Sequence, residues 1–193
     1  MELALVPHRL ADAAARHRLS VMFAANADAV WRVLRRCGLE PALADDGLQQ
    51  VFVVAQQRLA DIQPDREVAF LMRVALRVGA RLNESSRREE LGDALPEVAD
   101  SLPGADELVE RRRSLALLDR LLARLPGELR EVLVLAELEG LTKRETAEAL
   151  QIPEGTAASR LRRAREALSR ELQRLHGPPH QLEARLRPLS QAL

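Results

Sequence analysis

Tyrosine is missing from this chain of 193 residues, and one tryptophan and three phenylalanines are its only aromatics. Glycine and proline are also sparse, at nine and ten residues. With abundant Leu, Ala and Arg, these shortages argue for an all-α fold. A single cysteine, Cys37, excludes an internal disulfide framework and fits a reducing cytoplasm. No apolar run approaches the ~20 residues that a membrane span requires. The opening stretch from Met1 to Pro7 has no basic region, so no signal peptide is expected. The four histidines, His8, His17, His176 and His180, lie near the ends without Cys or His partners at ligand spacing, so no metal is expected. Nothing resembles a nucleophile elbow, a phosphate-cradling glycine loop or a paired-carboxylate site. Neither catalysis nor a cofactor is therefore expected.

Net charge is also lacking, because 29 basic residues cancel 29 acidic ones. The distribution is uneven, however. Residues 84–110 carry nine acids against two arginines, and residues 160–174 carry six arginines against two glutamates. Such asymmetry points to a local anion-binding surface rather than to a generally basic protein. The acidic stretch holds Gly92, Pro96, Pro103 and Gly104 and has no apolar stripe. It reads as a linker, mobile or only partly helical, between two small helical domains. The expected boundaries are an extension over 1–18, a first domain over 19–90, a linker over 91–112, a second domain over 113–175 and a tail over 176–193.

In the second domain, Leu129, Val132, Leu133 and Ala136 recur at helical spacing and stop at Gly140, a good residue just past a helix end. Thr142 and Glu145 form a Thr-x-x-Glu capping box that opens a short helix over 143–150. Gln151-Ile152-Pro153 makes the turn, and a longer helix runs to about Leu175. A short helix, a tight turn and a longer helix make a helix-turn-helix. At ~100° per residue, Ala157, Leu161, Ala164, Leu168 and Leu172 share the inner face of the last helix. Ser159, Arg162, Arg163, Glu166 and Arg170 share the outer one, with Arg160 and Arg165 flanking. Arginines presented there suit guanine edges and phosphates in a major groove. A merely solvated amphipathic helix would have the same periodicity.

This stretch closely resembles region four of the extracytoplasmic-function (ECF) sigma factors. The resemblance rests on Leu125-Pro126, Arg130-Glu131-Val132, the run from Glu137 to Leu141, Ala147-Glu148, Gly155-Thr156, Ser159-Arg160-Leu161 and Arg163-Ala164-Arg165. It implies a transcription initiation subunit whose C-terminal domain reads the upstream promoter element. Ser159, Arg162 and Arg163 match the base-facing positions, and Lys143, Arg144, Thr156 and Arg160 are further candidate DNA contacts. The chain has Ala158 and Ala136 where family members often carry basic residues.

In the first domain, a helix is expected over 19–36 with Phe23, Ala27, Val30, Trp31 and Leu34 inward, ended by Gly38 and Pro41. Asp45 or Asp46 is expected to cap the next helix, whose stripe is Leu48, Val51, Phe52, Ala55 and Leu59. Val53 and Val54 fall outside that stripe, on a polar side with Asp46, Gln49, Gln50 and Gln57. They are either ordinary exposed residues or part of a docking face. The run from Asp46 to Phe52 resembles the signature of sigma region two, whose helix docks on RNA polymerase. The resemblance therefore implies Asp46, Gln49, Gln50, Val53, Val54 and Gln57 as polymerase contacts. Gln50 and Gln56 stand where the family has glutamate and tryptophan. Residues 61–66, around Pro64, read as a turn, and the resemblance makes them candidates for holding a flipped promoter base. Arg73, Arg77 and Arg81 sit four apart on the next helix, a repulsive spacing that bound phosphates would relieve, although a solvated basic face fits as well. The family's Asn and Asp fall on Arg77 and Arg81.

The implied partners are core RNA polymerase, promoter DNA and an anti-sigma factor, with a cytoplasmic location. Two other readings stay open. One is a sigma-like interaction protein that sequesters an anti-sigma factor without directing transcription. The other is an ordinary helix-turn-helix repressor.

Overall fold

A computed structural model describes the backbone of residues 5–90 and 106–176 and the side chains of residues 13–86 and 114–174. The central part of the acidic linker (91–105) and the tail from residue 177 onward lie outside the described residues. Seven α-helices follow one another with no strand among the described residues. They are α1 (Leu5–Arg36), α2 (Pro41–Gln57), α3 (Glu67–Glu90), α4 (Asp106–Ala123), α5 (Gly127–Leu133), α6 (Lys143–Leu150) and α7 (Glu154–His176). The all-α expectation holds.

Helices α1, α2 and α3 pack as an N-terminal group around Met22, Val30, Leu34, Val51, Leu71 and Met72, each at most 1 % exposed. The close approach is set by Gly47 on α2. A Cβ there would lie 3.1 Å from Leu34 Cδ1 and 3.4 Å from Leu82, so α1 and α3 both come near because α2 has no side chain at that point. Arg18 ties the group together at its other end. It donates to the backbone oxygens of Leu59 and Ile62 and pairs with Glu67 at 2.8 Å, which fixes the α2–α3 connection against α1.

Three sequence expectations change here. Helix α1 starts at Leu5, so much of the extension is continuous with the first helix. Pro41 does not merely end α1; it begins α2 at the first-turn position where its missing N–H costs nothing, four residues ahead of the expected aspartate cap. Phe23 is not a core residue. It is 46 % exposed and stands edge-on to Phe52 at 4.8 Å, while Met22 takes the inward place.

The C-terminal group holds α4 to α7 around Leu122, Val132, Leu135 and Ala164. Helix α5 does not run on as a regular α-helix. Its continuation, Val134–Leu138, widens into a π turn, in which Glu139 N–H reaches Val134 O. Gly140 then takes φ +69°, the left-handed conformation that glycine adopts at least cost. The capping box forms as expected. Thr142 accepts from Glu145 N–H, and the Glu145 carboxylate accepts from Thr142 N–H at 2.9 Å.

Candidate nucleic-acid interface

The outer face of α7 is built by the turn before it. Gln151 closes α6 in the left-handed region, at φ 56°, and Pro153 and Glu154 start α7. Ala157 and Ala164 are buried and Leu161 and Leu168 half-buried, which turns Ser159, Arg162 and Arg163 to solvent. The basic side chains on α7 are engaged to different degrees. Arg160 is half-buried and pairs with Glu128 of α5 at 2.8 Å, and Arg165 pairs with Glu137. Both fasten α7 to the rest of its group. Arg162 bonds Glu166 one turn on, at 2.7 Å, and Ser159 donates to Thr156 O at 2.9 Å. Arg163 and Arg144 are exposed and make no hydrogen bond or ion pair with the described residues. Lys143 holds Glu154 across the turn at 3.6 Å, and Thr156 is half-buried. The surface is therefore a rim of arginines with Arg163 most available at its centre. Such a rim gives bidentate donors to base edges and phosphates.

The arginines of α3 are placed differently from a free stripe. Arg77 and Arg81 are exposed, but Arg73 is half-buried, with its guanidinium 5.8 Å from the Phe70 ring and its Nε buried without a partner. Arg77 donates to Gln151 of the C-terminal group, and Arg81 donates to Gln50 on α2. Helix α6 lies along this face. Arg73, Leu76, Arg77 and Ala80 line a cleft of about 200 Å³ with Glu131, Ala149, Leu150 and Gln151 opposite. Next to it, Asp61, Gln63, Arg66, Phe70 and Arg73 surround a second cleft of about 240 Å³, and Glu148 of α6 reaches in to pair with Arg66 at 3.2 Å.

The expected docking residues on α2 come together almost completely. Asp46, Gln49, Gln50, Val53 and Val54 line one open groove of about 530 Å³ with Val78 and Arg81 of α3. Val53 is 49 % exposed and Val54 half-buried, so neither serves the core of the N-terminal group. Gln57 lies elsewhere, in a groove of about 680 Å³ that Gln56 and Leu59 share with Ala14, Ala15 and Leu19 of α1.

One constellation had no signal in the sequence. Glu139, just past the π turn, is clamped by Arg32 and Arg36 of α1, and its side chain is 1 % exposed. Arg32 meets it at 2.6 Å, and that hydrogen bond raises the Arg32 pKa. Burial lowers the Arg36 pKa despite the same partner. Asp119 of α4 stands near Arg35 and Arg36, with desolvation pushing its carboxyl up against their pull. The buried apolar residues of the two groups form one contiguous cluster. Spacing could not reveal this arrangement, because its members lie on helices about a hundred residues apart.

Residues 115–168 match the family model for sigma-70, region 4. The RNA polymerase sigma factor CnrH of Cupriavidus metallidurans is 32 % identical over 151 residues, covering 73 % of this chain and 79 % of that protein. A solved structure of CnrH in complex with the cytosolic domain of CnrY superimposes with a TM-score of 0.61 at 26 % identity, over 80 % of this chain and 87 % of that one. The ECF RNA polymerase sigma factor SigM of Mycobacterium tuberculosis is 34 % identical, over 67 % of this chain and 64 % of its own length. The fold also matches the sigma factor RpoE co-crystallised with the anti-sigma factor NepR from Bartonella quintana. That match has a TM-score of 0.59 at 17 % identity and covers 78 % of this chain and 94 % of that one.

Proposed function

The chain belongs to the extracytoplasmic-function RNA polymerase sigma factors, which direct promoter recognition and transcription initiation, and from that membership we propose how its surfaces divide the task. Core RNA polymerase docks on the α2 groove through Asp46, Gln49, Gln50, Val53 and Val54, and reaches Gln57 in the separate groove between α1 and the end of α2. Helix α7 enters the major groove of the upstream promoter element. Ser159, Arg162 and Arg163 meet base edges, while Lys143, Arg144, Thr156 and Arg160 lie at the phosphates around them. Arg73, Arg77 and Arg81 take phosphates of the downstream element. The units are a region-two domain over 19–90 and a region-four domain over 113–175, joined by the acidic linker over 91–112. The chain performs no catalysis itself; it works as a subunit beside polymerase in the bacterial cytoplasm.

The observation that carries this reading is the recognition helix. A formed capping box and a tight turn present a free Arg163 on an exposed face, which a solvated amphipathic helix would not require. An anti-sigma factor is the further partner. The complexes in which CnrH and RpoE were solved support it, because each holds a second protein. Run-off transcription with purified core polymerase tests the function directly. A transcript that depends on this chain and starts at one position is the expected result. A chain that binds an anti-sigma factor yet gives no transcript on any genomic promoter library would instead be a sequestering protein.

A further inference from the structure

The arginines of α7 differ in what already holds them. Arg160 and Arg165 are engaged by Glu128 and Glu137 of the C-terminal group, behind the exposed face. Arg162 differs, because its partner stands on that face beside it. Its Nη1 donates to Oε1 of Glu166, one turn further along, at 2.7 Å. The two side chains are 69 % and 48 % exposed, so the pair faces outward as a unit. A carboxylate on a surface that meets DNA repels phosphates, which is a cost. The order Arg before Glu is also the poorer orientation for an ion pair along a helix. The next pair on α7 has the favourable order, Glu171 before Arg174. Helix stability alone is therefore a weak reason for Glu166 at this place.

We propose that Glu166 is a specificity-determining residue, and that Arg162 and Glu166 together read the edge of one G·C pair in the upstream element. The proposal rests on the reading of α7 as the recognition helix. In the major groove guanine presents its N7 and O6 acceptors, and the paired cytosine presents an N4 donor. Guanine O6 and cytosine N4 of one pair lie a hydrogen bond apart, about 2.9 Å. Arg162 Nη1 and Glu166 Oε1 offer the matching donor and acceptor at 2.7 Å. The guanidinium donates to guanine through its remaining N–H groups, and the carboxylate accepts the cytosine N–H that points into the groove. The bond between Arg162 and Glu166 stays intact throughout, so neither charge is stranded when DNA arrives. An A·T pair offers Arg162 one acceptor fewer and sets thymine O4 against the carboxylate. A reversed pair, C·G, sets guanine O6 there instead. Arg163 has no such carboxylate beside it, so its contact is made at another position.

Holoenzyme assembled from purified core polymerase and the full chain tests this. It is bound to promoter duplexes randomised across the upstream element, and the retained sequences are counted. The wild-type chain should prefer G·C over A·T about tenfold at one position, as a good base contact does. Glu166→Ala should lower that ratio about fivefold there and leave other positions within about twofold. Arg162→Ala should act at the same position. Adding Glu166→Ala to it should change little more, because the two residues work as one unit. Glu166→Gln keeps the length and an acceptor oxygen, so it should retain part of the preference. Arg163→Ala should alter a different position. An unchanged profile in Glu166→Ala would overturn the proposal. A loss spread evenly over all positions would make Glu166 a structural contact, and tighter binding to every sequence would make it a plain repulsive charge; either result overturns it too. A wild-type holoenzyme with no preference at any upstream position would remove the recognition role of α7 itself, and the pair with it.

Discussion

At the scale of single residues, Thr142 and Glu145 make the clearest case. The Thr142 hydroxyl and backbone N–H both donate to the Glu145 carboxylate, which holds Glu145 below the ordinary carboxylate range. Thr142→Ala should cost about 1 kcal/mol in urea denaturation. A carboxylate with a depressed folded-state pKa stabilises the fold above its unfolded pKa, and that contribution is lost as pH falls through the folded value. The Thr142→Ala penalty should therefore shrink in acid; a penalty independent of pH would assign the whole effect to the hydroxyl's acceptance from Glu145 N–H rather than to its bond with the carboxylate. Arg163 tests recognition at the same scale. Its replacement by Ala should remove ~1–3 kcal/mol of discrimination between the preferred upstream element and a mismatched one. Equal weakening on random DNA, measured by fluorescence anisotropy, would make it a phosphate contact.

At the scale of elements, what could be read in advance follows from where the determinants lie. The boundaries of α6 are set by a capping box at one end and a proline turn at the other, both local, and α6 has the expected limits. Pro41 misled because the same residue can follow one helix and open the next; only the short Gly38–Glu40 connection decides between them. The π turn after α5 left no mark in the apolar spacing, since Val134 and Leu135 are buried in either geometry. Val53 and Val54 were legible as misplaced apolar residues on a polar side, and the groove around them explains the misplacement. Changing both to Thr should leave thermal stability within about 1 kcal/mol, as for exposed positions. Core-polymerase binding should nevertheless fall markedly in a pull-down or by biolayer interferometry. Gly47→Ala should act in the opposite way. Its Cβ would stand 3.1 Å from Leu34, which is fully buried and has little room to give, so an overpacking cost of ~1–3 kcal/mol should outweigh the ~1 kcal/mol that alanine gains over glycine inside a helix, and the melting temperature should fall.

For the whole molecule, the sequence showed a basic helix and an acidic linker but not how the halves meet. Glu139 pairs with Arg32 and Arg36 across more than a hundred residues, and no periodicity links positions so distant. On composition, residues 84–110 read as a linker between two small helical domains, because nothing in them advertises a core. The described structure instead gives the halves a shared interior. Once polymerase has assembled the chain on a promoter, the α3 arginines should be available to DNA. Converting Arg73, Arg77 and Arg81 to Ala should then flatten the slope of log affinity against log salt by about two to three units in the polymerase–promoter complex. An unchanged slope with full transcription would make the stripe a solvated face.

Gln151 carries a consequence for how this protein could be improved in the laboratory. It adopts left-handed backbone at φ 56°, where a side chain other than glycine is disfavoured by roughly 1–2 kcal/mol, yet its amide oxygen reaches Arg77. Glycine at this position would relieve the backbone and sever the reach in one step. Selection for heat resistance alone should therefore favour Gln151→Gly. The survivors would be hardier proteins in which the C-terminal group has lost one of its holds on α3, so an engineer ranking variants by melting temperature would discard that contact unawares.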